Sequence, residues 1–166
     1  LYGATLFARR YLYNIFEQMY VMFLEEGAEG FRALFSLFAD PRALPVTFFC
    51  SAGKDRTGLA SMLLLLFLGV DEEVVLADYC LTNRTFDELF HYFTENHSIR
   101  SFGVPDKDAK VMFTAHPGWM RSVFRHLQDK FGGAEGYLHR KVGLSRETLD
   151  NIRENLLVSS FDDSMT

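Results

Sequence analysis

The stretch Cys50-Ser51-Ala52-Gly53-Lys54-Asp55-Arg56-Thr57-Gly58 constrains this chain more than any other. It follows a short apolar run, Val46-Thr47-Phe48-Phe49, and leads into a strongly apolar one, Leu59 to Val70. The pattern predicts strand, tight loop, helix. Such a loop gathers successive backbone N–H groups and the positive end of a helix dipole around one small volume, which suits a phosphate dianion. Ser51, Ala52, Gly53 and Lys54 would supply the cradle, with Asp55 and Arg56 at its edge. The helix end and the neighbouring cations favour the thiolate of Cys50. Arg56 can grip two phosphoryl oxygens in a planar fork. Thr57 can donate its hydroxyl to the sulfur. A nucleophile with an oxyanion clamp implies phosphoryl transfer through a cysteinyl-phosphate. Chance would assemble Cys, Gly, Arg, Ser/Thr and Gly at these spacings in roughly one chain in ten thousand.

The same residues carry a resemblance. Cys-x5-Arg-Thr-Gly resembles the signature loop of cysteine-dependent protein tyrosine phosphatases, and the fuller Cys50–Gly58 run resembles the atypical tyrosine/serine phosphatases of bacteria and fungi. Ala77-Asp78-Tyr79-Cys80-Leu81-Thr82-Asn83, Phe131-Gly132-Gly133-Ala134-Glu135-Gly136-Tyr137-Leu138 and Gly143-Leu144-Ser145 are similar to later motifs of that family. The resemblance covers residues 1–158. It implies an α/β cysteine-phosphatase fold, a central sheet flanked by helices. It also implies that the loop acid, here Asp55, protonates the leaving group. One position departs from the family pattern: Phe49 stands where His usually precedes the Cys, so the thiolate must rely on loop amides, Thr57 and the cations.

At 166 residues, 48% of them hydrophobic and 15% aromatic, the chain can bury one core. A net charge of −5 with no basic stripe argues against a nucleic-acid partner. Two cysteines fit a reducing compartment better than a disulfide framework, so the expected location is cytoplasmic, with secretion left open because the chain begins at Leu1. Cys80 reads as a small buried apolar residue. Leu59 to Val70 is too short to span a membrane, so no stable insertion is expected.

Helical spacing of Leu12, Ile15, Phe16, Met19 and Phe23 predicts a helix over 4–24, widened by Tyr11, Tyr13 and Tyr20. A second carries Phe31, Leu34, Phe35 and Phe38 and stops before Asp40-Pro41. Pro45 to Phe49 is the one clear strand. Asp71 caps a helix to about Asn83. Thr85 and Glu88 form a capping-box pattern ahead of Phe86, Leu89, Phe90 and Phe93. Residues 96–108 read as a loop. Pro117 opens a helix stopped by Gly132-Gly133, and Ser145 caps the last, stapled by Leu144 and Leu149. Because one strand forms no stable sheet, residues 1–158 are expected to be the C-terminal portion of a longer phosphatase domain. Residues 159–166 are expected to form a loose acidic tail.

For the acid, Asp40 lies across the strand from Cys50, roughly 15–20 Å away at about 3.3 Å per residue. Glu17, Glu25, Glu26 and Glu29 read as surface or turn charges. Asp55 is the candidate within the loop; alternatively it pairs with Lys54 and only holds the loop, or an acid lies upstream. Lys54 reads as a second cation at the rim, or as a solvated charge. Similar Gly-Lys loops occur in tensin-like lipid phosphatases, so phosphoinositides join phosphoproteins as candidate substrates. His91 and His97 are poorly spaced for a metal, His116, His126 and His139 form no cluster, and no cofactor is expected. The sequons at Asn83 and Asn96 would be unused in a reducing compartment. The alternative to an enzyme is a phosphate-binding interaction module without turnover.

Overall fold

The computed structural model describes residues 2–96 and 106–157. Expectations for His97, the Phe93 side chain, the Asn96 sequon and the tail 159–166 lie outside the described residues. The described architecture is helical. Helices α1 (Tyr2–Glu26) and α2 (Ala28–Ala39) precede a 3-10 turn, Pro41–Ala43. After the loop come α3 (Asp55–Phe67), α4 (Glu72–Cys80), a 3-10 turn Leu81–Thr85, and α5 (Phe86–Asn96). Then follow α6 (Asp106–Phe113), α7 (Pro117–Phe131), α8 (Ala134–Arg140) and α9 (Arg146–Leu156).

Helix α7 is the hub, packing against α1, α4 and α8. Its boundaries follow from local chemistry. Pro117 occupies the first turn, where its missing N–H costs nothing, and His116 caps the end by accepting the Gly118 N–H at Nδ1, 3.1 Å away. Gly132, with φ +65°, closes it in the left-handed conformation. Trp119 is fully buried, stacks on Phe16 with ring centroids 4.9 Å apart, and donates its indole N–H to the Tyr13 carbonyl. Helix α3 is buried on nearly all sides, through Leu59, Ala60, Met62, Leu63 and Phe67, and packs on α1, α4 and α8. Helix α2 buries Phe31, Phe35 and Phe38 and lies on α9, which Ser145 caps by accepting the Thr148 N–H.

Several expectations need correction. Residues 46–49 are extended, with Val46 and Phe48 turned inward and Thr47 and Phe49 outward, but they pair with no other strand among the described residues. No strand occurs among the described residues, because a ladder requires a neighbouring backbone and none of the described segments supplies one to residues 46–49. Among the side chains described in α1, from residue 10 onward, Phe16, Tyr20 and Leu24 are buried, and Ile15 faces outward at the edge of the arc. Helix α4 ends at Cys80, short of Asn83. The Thr85 hydroxyl donates back to the Thr82 carbonyl, and Phe86, Leu89 and Phe90 are only half-buried. Residues 106–108 belong to α6, not to a loop.

Glu25 is no free surface charge. Its carboxylate, one-fifth exposed, lies 2.7 Å from Lys130 and His126 and 3.2 Å from Lys141, joining α1 to α7 and to the end of α8. The Lys130 ammonium, with His126 and Lys141, holds its pKa down to about 2 against the opposing effect of burial. A carboxylate depressed in the folded state stabilises fully above its unfolded value, near 4.3, and that contribution is lost as pH falls toward about 2. Glu25→Gln should therefore cost roughly 1–2 kcal/mol at pH 7, a fall of a few degrees in Tm. Thermal melts should show the gap from wild type closing between about pH 4.5 and 2. Equal Tm values at pH 7 would contradict this.

Candidate active site

Cys50 ends the extended segment and faces the N-terminus of α3, which begins at Asp55. The turn between them needs Gly53, whose φ of +63° lies in the left-handed region and whose N–H points back to the Cys50 carbonyl at 3.4 Å. The Cys50 N–H donates to Thr57 Oγ1 at 2.9 Å, tying the two ends of the loop. Gly58 is required for a different reason: a Cβ there would lie 3.0 Å from the Tyr79 ring.

The half-buried Cys50 thiol feels opposing effects. Burial pushes its pKa up, but the Thr57 hydroxyl and the backbone N–H groups of Thr57, Ala52 and Lys54 outweigh it and bring the thiol down to about 7. The groups that lower it include no imidazole among the described residues, and Phe49, 84% exposed, occupies the preceding position. Arg56 is exposed, makes no hydrogen bond or ion pair among the described residues, and lines the same hollows as Cys50.

Lys54 is not at the rim. Its side chain is only 2% exposed, over the faces of Phe16 and Trp119 at 5.7 and 5.4 Å. Its ammonium contacts Asp55 Oδ1 at 2.7 Å and donates to the Thr114 carbonyl at 3.3 Å. Burial lowers its pKa, with Asp55 opposing. The expectation of a solvated or substrate-facing cation fails because aromatic faces, a carboxylate and a carbonyl replace its water. Asp55, 23% exposed, also accepts the Tyr20 hydroxyl on the same oxygen at 2.6 Å, and Tyr20 lies 2.6 Å from the Tyr79 hydroxyl.

Sequence reasoning missed Tyr20, Tyr79 and Asn83 as parts of this site. In sequence Tyr20 reads as part of an apolar arc, yet a buried tyrosine needs a partner for its hydroxyl, and that requirement is the signal for its place here. Asn83 accepts the Ala115 N–H at 2.7 Å and donates to its carbonyl at 3.0 Å, fixing the backbone that presents the Thr114 carbonyl to Lys54. Of the histidines, His126 pairs with Glu25 and His139 contacts the Leu144 carbonyl. Among the described residues, no group of three or more His, Cys, Asp or Glu side chains is placed to hold a metal.

Two hollows meet at Cys50 and Arg56. One, about 320 Å³, is lined by Cys50, Ser51, Ala52, Lys54, Asp55 and Arg56, with walls from α1 and α6. The other, about 480 Å³, is walled by Phe23, Phe31, Leu34, Phe48 and Phe49. The loop contributes more of the lining of the smaller one, which makes it the candidate site.

The model of the tyrosine phosphatase family matches residues 8–158. The chain belongs to this family. Among curated relatives, a tyrosine-protein phosphatase from Nostoc commune is 26% identical over 149 residues, covering 84% of this chain and 48% of the relative. The triple specificity protein phosphatase PtpB of Mycobacterium tuberculosis is 30% identical over 123 residues, covering 68% and 44%. A putative tyrosine-protein phosphatase from Cupriavidus necator is 54% identical over 91 residues, covering 55% and 33%. The chain thus spans less than half the length of these relatives. The resemblance read from the loop and the later motifs is correct at family level. The phosphatase motif around Tyr79 and Asn83 acts here through a buried hydroxyl and a backbone clamp, and the one around Tyr137 through a hydroxyl that donates to the Leu24 carbonyl.

The Thr57 hydroxyl of this loop has a measurable consequence. Wild-type Cys50 should alkylate with iodoacetamide along a pH curve inflecting near 7. Thr57→Val should move that inflection up toward the free-thiol value of about 8.5. An unmoved curve would remove Thr57 from thiolate stabilisation.

Proposed function

We propose that the protein of which this chain is part is a cysteine-dependent phosphatase that hydrolyses phosphomonoesters in two steps. Cys50 attacks phosphorus, Arg56 and the amides from Ser51 to Lys54 hold the equatorial oxygens, and water then hydrolyses the cysteinyl-phosphate. Asp55 supplies the proton to the leaving oxygen, and the Thr57 hydroxyl eases departure of the thiolate. The observation that carries this reading is a thiol lowered to about 7 at a helix N-terminus beside an unpaired guanidinium.

Phosphotyrosine proteins, with phosphoserine and phosphothreonine proteins as further candidates, are the proposed substrates. Burial of Lys54 removes the rim cation on which a preference for phosphoinositides would rest, leaving Arg56 as the loop cation open to the cleft. The chemistry draws on side chains and loop amides, with no metal or other cofactor assigned a role. A reducing, cytoplasmic setting is the proposed location, on the two cysteines being free thiols; no described helix is long and apolar enough to cross a membrane. We also infer that the region is the C-terminal portion of a domain whose sheet is completed from upstream. The unpaired extended segment 46–49, the exposed Phe49 and the greater length of the relatives support this.

One observation favours a second reading, a binding module without turnover: Asp55 is already engaged by Lys54 and Tyr20. A single assay separates the two. The complete protein should hydrolyse p-nitrophenyl phosphate without added metal, orthovanadate should inhibit it, and Cys50→Ser should abolish it. Tight binding of a phosphopeptide with no turnover would establish the module instead.

A further inference from the structure

Tyr20 sits in the C-terminal third of α1, fully buried between Trp119 and Tyr79, with ring centroids 5.9 and 6.2 Å away. Phenylalanine would fill this space without needing a polar partner. The hydroxyl instead points at the loop, 2.6 Å from Asp55 Oδ1, and the equally buried Tyr79 hydroxyl lies 2.6 Å behind it. A carboxylate oxygen without a proton only accepts, which fixes the direction of the chain: Tyr79 donates to Tyr20, and Tyr20 donates to Asp55. Burial raises the pKa of both phenols, so both keep the protons this arrangement requires. The Lys54 ammonium takes the same Oδ1 from the other side. Oδ2 has no hydrogen bond or ion pair among the described residues, and Asp55 lines the cleft that Cys50 and Arg56 share.

We propose that Tyr20, backed by Tyr79, is a positioning residue for Asp55. It holds Oδ1 so that Oδ2 is the oxygen that carries the proton for the reaction. This role rests on the assignment of Asp55 as the acid. As the Cys50 sulfur bonds to phosphorus and the ester P–O bond breaks, the proton on Oδ2 passes to the departing oxygen, which keeps the bonding pair and leaves as a neutral phenol or alcohol. In the second step water bonds to phosphorus and gives a proton to Oδ2. The P–S bond breaks, returning the thiolate and inorganic phosphate. Both phenols keep their own protons throughout.

The test is kcat/KM of the complete protein on two aryl phosphates. p-Nitrophenyl phosphate has a leaving group that needs little help from an acid, and phenyl phosphate has one that needs much. Tyr20→Phe should lose about 2–3-fold on the first and about 10–30-fold on the second, since the demand for acid catalysis grows with leaving-group basicity. The loss should fall on kcat, with KM little changed. Tyr79→Phe should lose in the same pattern by smaller factors, and Asp55→Asn by larger ones. Equal losses on both substrates for Tyr20→Phe, or none, with Asp55→Asn still discriminating, would overturn the positioning role and leave the acid in place. Equal losses for Asp55→Asn would remove the acid assignment and the positioning role with it. Activity persisting in Cys50→Ser would instead contradict the phosphatase mechanism itself. If circular dichroism shows Tyr20→Phe unfolded, Tyr79→Phe decides: a leaving-group-dependent loss supports the role, a uniform one overturns it.

Discussion

The structure depends on how one buried ammonium is accommodated. An uncompensated charge in a protein interior costs several kcal/mol, so Lys54 can be where it is only if its surroundings replace water almost completely. They do: Asp55 Oδ1, the Thr114 carbonyl, and the faces of Phe16 and Trp119 surround the ammonium. These groups come from α1, α3, α7 and the segment that Asn83 clamps, and Tyr20 and Tyr79 join through Asp55. The position of the loop is therefore set by four parts of the chain at once, and Cys50 inherits that position.

The same accommodation divides the work between neighbouring residues. Of the two loop cations that flank Asp55, Lys54 is internal and structural, while Arg56 is exposed, lines the cleft and has no ion pair among the described residues. Cys50 is lowered to about 7 without an imidazole, by a hydroxyl and three amides. Carboxylates divide likewise. Glu25 serves to join helices, held low by Lys130, whereas Asp55 has Oδ1 taken up by Lys54 and Tyr20 while the residue also lines the cleft.

The chemistry was legible in the chain because it is local: a thiol, a guanidinium, a hydroxyl and two glycines lie within nine consecutive residues. Helices α2, α7 and α9 were legible for the same reason, since their caps and apolar stripes are fixed by neighbours in sequence. What was not legible depends on distant partners. Lys54 reads as solvated until Phe16 and Trp119, far away on either side in sequence, are found to enclose it. Tyr20 reads as one more apolar position until its hydroxyl meets a carboxylate 35 residues on. The segment 46–49 has the alternation of a strand, but alternation describes a segment's own two faces and says nothing about whether a neighbour pairs with it.

If the Lys54–Asp55 pair is the constraint on which the loop depends, the two side chains must be energetically coupled. Chemical denaturation of Lys54→Met, Asp55→Asn and the double variant measures this directly. Asp55→Asn alone leaves a buried cation uncompensated and should cost about 2–4 kcal/mol; the double variant should be more stable than the sum of the single losses by at least about 1.5 kcal/mol. Losses that add to within about 0.5 kcal/mol would show that the pair is not what holds the loop.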